Sequence, residues 1–287
     1  MRIVRILAVA IILCFATAQP MAAAGADSRG SHEPVYYLSL GDSLAAGVQP
    51  IGPASRDHRT NMGYADQLWL QARSWVPGLQ LVKLGCPGES TGTMIDGGRC
   101  PFPHGTQLAE AVSFLQSHRG AVAFVTIDIG FNDFPCDTDL SCLQPGVASI
   151  QANLPVILGT LRAAAGPGTP IVGMNIYDPF LASWLQGPDG QAFATMSVWQ
   201  AVLPLNDLLE GIYAAFGSPV ADVESAFHTT DFSIVATLPG VGPIPRNVAL
   251  ICLRTWLCAP APLGPDRHAN VFGYHAMADA FAAVLRP

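Results

Sequence analysis

The sequence predicts an α/β protein built on a parallel sheet with helices on both faces. Two observations carry that prediction. Apolar runs of strand length alternate with segments of helical periodicity. The strand runs are also mainly apolar instead of strictly alternating, as expected where both faces of the sheet are covered. The expected strands are Val35 to Leu40, Leu79 to Leu84, Val122 to Ile129, Ile171 to Tyr177 and a short one at Val220 to Val223. Helical spacing appears at Tyr64 to Trp75, Gln107 to His118, Val147 to Ala165, Val198 to Phe216 and Val271 to Leu285, and Pro155 is expected to kink the third of these. No internal repeat, low-complexity tract or linker divides residues 25–287, which read as one domain.

Composition narrows the classes of function. With 287 residues, 50% hydrophobic and 12% charged, the chain has enough apolar material for a sizeable core, which excludes disorder as its overall state. Its 14 Lys+Arg stand against 21 Asp+Glu, a net charge of −7, so it lacks the basic field that a nucleic-acid partner requires.

Residues 1–24 read as a secretory signal peptide: Arg2 and Arg5 precede an apolar run from Ile6 to Phe15, and the small residues Ala22 to Ala24 follow. A membrane anchor would need about 20 unbroken apolar residues, whereas Thr17, Gln19 and Pro20 interrupt this run. Lipid attachment at Cys14 is disfavoured by Leu13, which stands where a small residue is expected. No later stretch is long and apolar enough to span a bilayer. The expected location is extracellular.

Removing Cys14 with the signal leaves an even set of cysteines for an oxidising compartment, in three close couples: Cys86 with Cys100, Cys136 with Cys142 and Cys252 with Cys258. Local pairing is expected, each loop closure contributing about 2 to 3 kcal/mol on the chain-entropy estimate. A metal site is disfavoured, because no couple has C-x2-C spacing and no histidine stands at a matching interval.

In an open parallel sheet, ligands bind beyond the carboxyl ends of the strands. Four segments with chemical potential lie near such positions. After the first strand comes Gly41-Asp42-Ser43-Leu44, a sharp strand-to-helix turn that would expose a hydroxyl beside a backbone N–H able to receive an oxyanion. The plainer reading of Ser43 is a helix cap. After the second strand comes Gly85-Cys86-Pro87-Gly88, where Gly88 allows close backbone approach to a ligand, although a Pro-Gly turn explains it as well. The third strand ends in Gly130-Phe131-Asn132-Asp133, offering a side-chain amide donor or merely a turn residue. Near the C-terminus, Asp266-Arg267-His268-Ala269-Asn270 leads into the last helix, with His268 expected in a loop.

In that order the four segments resemble the SGNH hydrolases, also called the GDSL esterase/lipase family, and the resemblance runs from Leu38 to about Ala278. It implies a three-layer α/β/α sandwich of flavodoxin-like type with about five parallel strands. It further implies Ser43 as nucleophile, His268 as general base, an oxyanion hole from the Ser43 and Gly88 N–H groups and the Asn132 side chain, and no metal or organic cofactor. A neutral imidazole, with an ordinary pKa of about 6.5, suits proton abstraction from a hydroxyl near neutral pH. One departure concerns the acid. The family places it three residues before the histidine, where this chain has Pro265, with Asp266 only two before. Either Asp266 orients His268, the favoured reading, or a backbone carbonyl does and Ser43 and His268 act as a dyad.

On this reading the disulfides would stiffen the loops that carry the site. The remaining histidines, His32, His58, His104, His118, His228 and His275, read as surface or packing residues, Asp178 as a turn residue and Asp42 as structural, while Glu89 reads as a solvated loop charge, with contact to substrate as the alternative. Phe180, Leu181, Trp184, Leu185, Phe193 and Trp199 offer apolar cover for an acyl chain, with core packing as the plainer explanation for about half of them. The Pro-rich stretch from Leu238 to Val248 reads as another wall of the cleft or as a surface loop. The expected substrate is a small-molecule, lipid or glycan ester, met by a monomer. An acyl esterase or lipase ranks first and a carbohydrate O-acetyl esterase second. Acyl transfer would use the same machinery. A non-catalytic secreted binding protein is the reading from another class, and it predicts the loss of Ser43, Asn132 or His268, all of which are present.

Overall fold

Five parallel strands form the central sheet: β1 (Val35–Gly41), β2 (Leu79–Lys83), β3 (Val122–Asp128), β4 (Ile171–Met174) and β5 (Val220–Ala221). Their spatial order is β2-β1-β3-β4-β5 and every neighbouring pair is parallel. This is the flavodoxin-like order, and it sets the carboxyl end of β1 between those of β2 and β3. The computed structural model describes residues 34–50, 58–134 and 143–286. The expected signal peptide, Cys14, His32 and the Cys136–Cys142 couple lie outside the described residues.

Alternate strand residues feed two cores. Tyr37, Phe124, Val172 and Met174 pack on one face against the helix Tyr64–Ala72 and the C-terminal helix Val271–Leu285, through Leu68, Met277 and Phe281. Leu38, Leu40, Val125, Ile127 and Ile171 pack on the other against the helices Gln107–Ser117, Leu143–Ala165 and Leu203–Ala215. The result is the expected three-layer sandwich. Tyr37 and Thr126, which both face the first core, share a hydroxyl hydrogen bond of 2.8 Å, so neither buried oxygen is orphaned.

The expected elements are found, with shifts at their ends. β4 stops at Met174 instead of reaching Tyr177, because the backbone of Ile176 pairs with a side chain. The Ile176 N–H donates to Asn206 Oδ1 at 2.9 Å, and Asn206 Nδ2 donates back to the Ile176 carbonyl at 3.0 Å. The helix expected from Val147 begins at Leu143 and is continuous through Pro155. The helix expected from Val198 starts with a π-turn, Val198–Val202, before Leu203–Ala215. The stretch from Leu238 to Val248 contains the second strand of an antiparallel hairpin (Ile234–Leu238 with Gly242–Pro245) and the start of a helix, Arg246–Arg254. Every residue of the hairpin's first strand is exposed.

Asp178, just beyond β4, is more than a turn residue. It is fully buried and caps the 3-10 turn Pro179–Gln186, accepting from the Phe180 N–H at 2.8 Å. Ser197 Oγ lies 2.6 Å from Asp178 Oδ2 and 2.9 Å from the Ala194 carbonyl. A hydroxyl has one proton. It is directed at Asp178 Oδ2, the shorter of the two contacts, so Ser197 donates to the buried carboxyl. Burial pushes the Asp178 carboxyl up to about 7, against the lowering effect of Ser197 and the Phe180 N–H. An unfolded Asp titrates near 3.9, so between about pH 4 and 7 the folded state holds the extra proton. This contribution to stability is fully present below that window and is lost as pH rises through it, by at most about 1.4 kcal/mol per pH unit. Urea denaturation at pH 5 and pH 8 is expected to show that decline in the wild type and a flatter dependence in Asp178→Asn. Equal slopes in the two proteins would refute the assignment.

Candidate active site

The turn after β1 depends on a glycine. Gly41 has φ +130°, and a Cβ there would lie 2.1 Å from the Asp128 carbonyl oxygen and 2.5 Å from its Oδ1. Buried Gln107, the first residue of its helix, holds this turn as a neighbouring strand would: the Gly41 N–H donates to Gln107 Oε1 at 2.7 Å, and Gln107 Nε2 donates to the Gly41 carbonyl at 2.9 Å. The four-residue helix Ser43–Ala46 follows, and its cap is Asp42, whose Oδ1 accepts from the Leu44 N–H at 2.9 Å. Ser43 is therefore not the cap. Its hydroxyl, half-buried, lies 3.4 Å from Asp42 Oδ1.

Asp42 also ties this turn to the one after β3, since Asn132 Nδ2 donates to Asp42 Oδ2 at 3.0 Å and to the Glu89 carbonyl at 3.0 Å. Beneath Asp42 lies Asp128, itself 2% exposed, accepting from the Tyr64 hydroxyl at 2.5 Å and from the Asp42 N–H at 3.4 Å. Burial raises both carboxyls, and the charge of Asp42 drives Asp128 further, well above the ordinary range.

Gly88 occupies a turn with Pro87 before it, φ +75° at the glycine and a Glu89 N–H donating to the Cys86 carbonyl at 3.0 Å. These are the marks of a type II turn. A disulfide joins Cys86 to Cys100, and the adjacent Arg99 guanidinium lies over Gly88, with Nη2 donating to the Pro87 carbonyl at 3.3 Å. Glu89 departs from expectation. It is 1% exposed, not solvated, and Gln107 Nε2 donates to its Oε2 at 2.9 Å. Burial raises its carboxyl, partly offset by hydrogen bonds from Thr93 and Gln107. The turn after β3, Phe131–Asp133, is anchored by Asp133, which accepts from the Thr91 N–H at 2.9 Å and the Thr91 hydroxyl at 2.6 Å.

His268 lies in a short strand, Asp266–Ala269, paired with Thr255–Trp256, where a loop was expected. The Cys252–Cys258 disulfide flanks that partner strand. Asp266 Oδ1 sits 2.7 Å from His268 Nδ1 and accepts the His268 backbone N–H at 2.8 Å, so the two-residue spacing lets one carboxylate oxygen meet both. Burial alone would raise the Asp266 carboxyl; the hydrogen bond and charge of His268 outweigh it and hold the group below the usual carboxylate range. The Tyr177 hydroxyl donates to the Arg267 carbonyl at 2.8 Å and fixes the strand from the sheet side.

Ser43, Gly88, Asn132 and His268 all line one pocket of about 430 Å³. Arg99, Arg267, Phe131, Phe134, Ile176 and Tyr177 share it. Between Asp178 and Leu205 only Pro179 lines this pocket: Leu181 belongs to the core, Trp184 donates its indole N–H to the Pro243 carbonyl at 3.0 Å, and Trp199 is 53% exposed. Among the described residues no group of three His, Cys, Asp or Glu is placed to hold a metal ion, and no helix is long and apolar enough to cross a membrane.

A family model described as GDSL-like Lipase/Acylhydrolase matches residues 39–241, more than half of the chain. The chain belongs to the GDSL-like lipase/acylhydrolase family. The matched range contains Ser43, Gly88 and Asn132 and ends before Asp266 and His268. Among solved structures, the acetylxylan esterase Axe2 from Geobacillus stearothermophilus superposes with a TM-score of 0.53 at 16% identity, covering 88% of this chain and 94% of that one. An extracellular lipase from Streptomyces rimosus gives 0.52 at 19%, covering 86% and 99%. The lipase Lip_vut3 from a goat rumen metagenome gives 0.51 at 17%, covering 87% and 96%. At such identities these likenesses show the fold. No curated protein matches the chain.

Several residues of this GDSL-family site carried no signal in the sequence. Gln107 reads as an ordinary first-turn residue, and its partners are main-chain atoms of a turn 66 positions away. Asp128 ends an apolar strand, and its role depends on Tyr64 from a helix on one face of the sheet. Arg99 stands beside the Cys86–Cys100 bridge, a pairing that the sequence did suggest, and its bond to the Pro87 carbonyl was not foreseen.

Proposed function

We propose that this GDSL-family protein is a secreted serine esterase that hydrolyses carboxylic acyl esters through an acyl-enzyme on Ser43. The observation that carries the reading is the convergence of Ser43, Gly88, Asn132 and the Asp266-bound His268 on one pocket. With Nδ1 engaged by Asp266, Nε2 is the nitrogen that remains for proton transfer. It takes the Ser43 proton as Oγ attacks the ester carbonyl, and returns it to the departing alkoxide. Water then releases the acyl group by the reverse route.

The oxyanion that forms in each step is received by the Ser43 and Gly88 N–H groups and by Asn132. Both Nδ2 protons of Asn132 have partners in the resting site, so one bond, to the Glu89 carbonyl or to Asp42, is shared with the oxyanion as charge develops. Asp42 and Gln107 act as positioning residues, because together they tie the Ser43, Glu89 and Asn132 segments into one unit. The apolar surface of Phe131, Phe134 and Ile176 beside Ser43 favours an acyl ester over a carbohydrate acetate. Secretion is supported by the N-terminal pattern and by the two disulfides.

The test is covalent trapping. A fluorophosphonate is expected to modify Ser43 stoichiometrically, as read by peptide mass, and to abolish hydrolysis of p-nitrophenyl acetate in proportion. Labelling elsewhere, or activity surviving full labelling, would overturn the assignment.

A further inference from the structure

Behind the pocket that holds Ser43 lies a second, smaller cavity of about 30 Å³. Phe131, Phe134 and Ile176 line both spaces, so the two meet across the same three side chains. Beyond them the inner cavity is walled by Phe180, Ala201 and Val202 and carries no charged side chain among its lining residues. The outer pocket differs: Arg99, Arg267 and Asp42 all contribute to its surface.

We propose that this inner slot takes the hydrocarbon tail of the acyl group and sets the acyl length that the protein accepts. The inference rests on the ester-hydrolase reading of Ser43 and goes beyond it by naming the substrate class, an ester of a short to medium saturated acid. An alcohol portion bearing hydroxyl or charged groups would leave them without partners in such a lining. A methylene chain has none to lose. One water-sized probe needs about 10 to 15 Å³ of such space, so the slot accepts about two or three methylenes. Adding the carboxyl carbon and its neighbour in the outer pocket gives acids of about four or five carbons.

Ala201 and Phe180 set the far wall. Ala201 is nearly buried in the π-turn Val198–Val202, and Ala201→Phe fills the slot. Phe180 is only partly buried and packs edge-on against Phe193 at 5.5 Å, so Phe180→Ala opens the slot at little risk to folding.

Two ester series distinguish the outcomes: p-nitrophenyl esters of increasing acyl length, and acetates of alkyl alcohols of increasing length. Each methylene that becomes buried is worth about a fourfold gain. In the wild type, kcat/KM in the acyl series is therefore expected to climb about fourfold per carbon to a maximum at about four or five carbons, then level or fall. In Ala201→Phe the pentanoate-to-acetate ratio is expected to drop at least about tenfold, and in Phe180→Ala the maximum moves to longer acids. Identical acyl profiles in all three proteins, or a shift confined to the alcohol series, would overturn the slot while leaving the reading of Ser43 standing. A wild type that hydrolyses no member of either series would overturn that reading, and the slot with it. Should Ala201→Phe not fold, the Phe180→Ala profile decides alone.

Discussion

Ser43→Ala is expected to lower kcat for acyl ester hydrolysis by about 10⁴- to 10⁶-fold, the range seen when a triad nucleophile is removed. The expectation follows from the chemistry of the turn. Without Oγ no acyl-enzyme forms, and the remaining donors can only stabilise direct attack by water, which leaves a residual rate above solution. The substitution should be silent structurally, because the Ser43 hydroxyl has only the long 3.4 Å contact to Asp42 and the helix is capped by Asp42 itself. Matched thermal midpoints with a collapsed rate, in a protein that fluorophosphonate no longer labels, is the expected set of measurements. Comparable turnover by wild type and variant would remove the nucleophile from the proposal.

Asp266→Asn is expected to lower kcat by about 10⁴-fold, as in other triads where the orienting carboxylate becomes an amide. The geometry isolates the effect of charge. Asp266 Oδ1 accepts from the His268 backbone at 2.8 Å, a bond that an amide oxygen can keep, so the strand should hold its shape. What is lost is the negative partner, 2.7 Å from Nδ1, that stabilises the imidazolium and selects its tautomer. Because that stabilisation matters most as His268 takes the proton, kcat and kcat/KM should fall together with KM little changed. A loss under tenfold would assign the orientation of the ring to a backbone carbonyl and reduce the machinery to Ser43 and His268.

Much of this arrangement was legible in the sequence, for identifiable reasons. A parallel sheet covered on both faces makes its strands mainly apolar, so Val35–Leu40 and Val122–Ile127 stand out despite Ser39 and Thr126, and the residues after them fall at the ligand edge whatever their tertiary partners. Local cysteine couples could be paired because short spacing limits the choices. What stayed hidden is what depends on distant atoms. The burial of Glu89 follows from Gln107 reaching across from another helix, and the end of β4 follows from Asn206 capturing the backbone of Ile176. The burial of Asp178 depends on Ser197 returning to it from 19 positions later. No spacing rule encodes any of these. The inner cavity is hidden for the same reason, as its walls come from the turn after β3, the segment after β4 and the π-turn that precedes Leu203.

The common direction of the strands leaves the molecule with two unequal ends. Glycines where strands finish are hemmed in: Gly41 by Asp128, Gly85 by Ala45 and Ala46. Those just before strands begin, Gly78, Gly120 and Gly217, face open space. Grafts, affinity handles or surface tethers attached at those three bends would sit on the opposite rim from Ser43, so the protein could be immobilised there with its mouth facing outward.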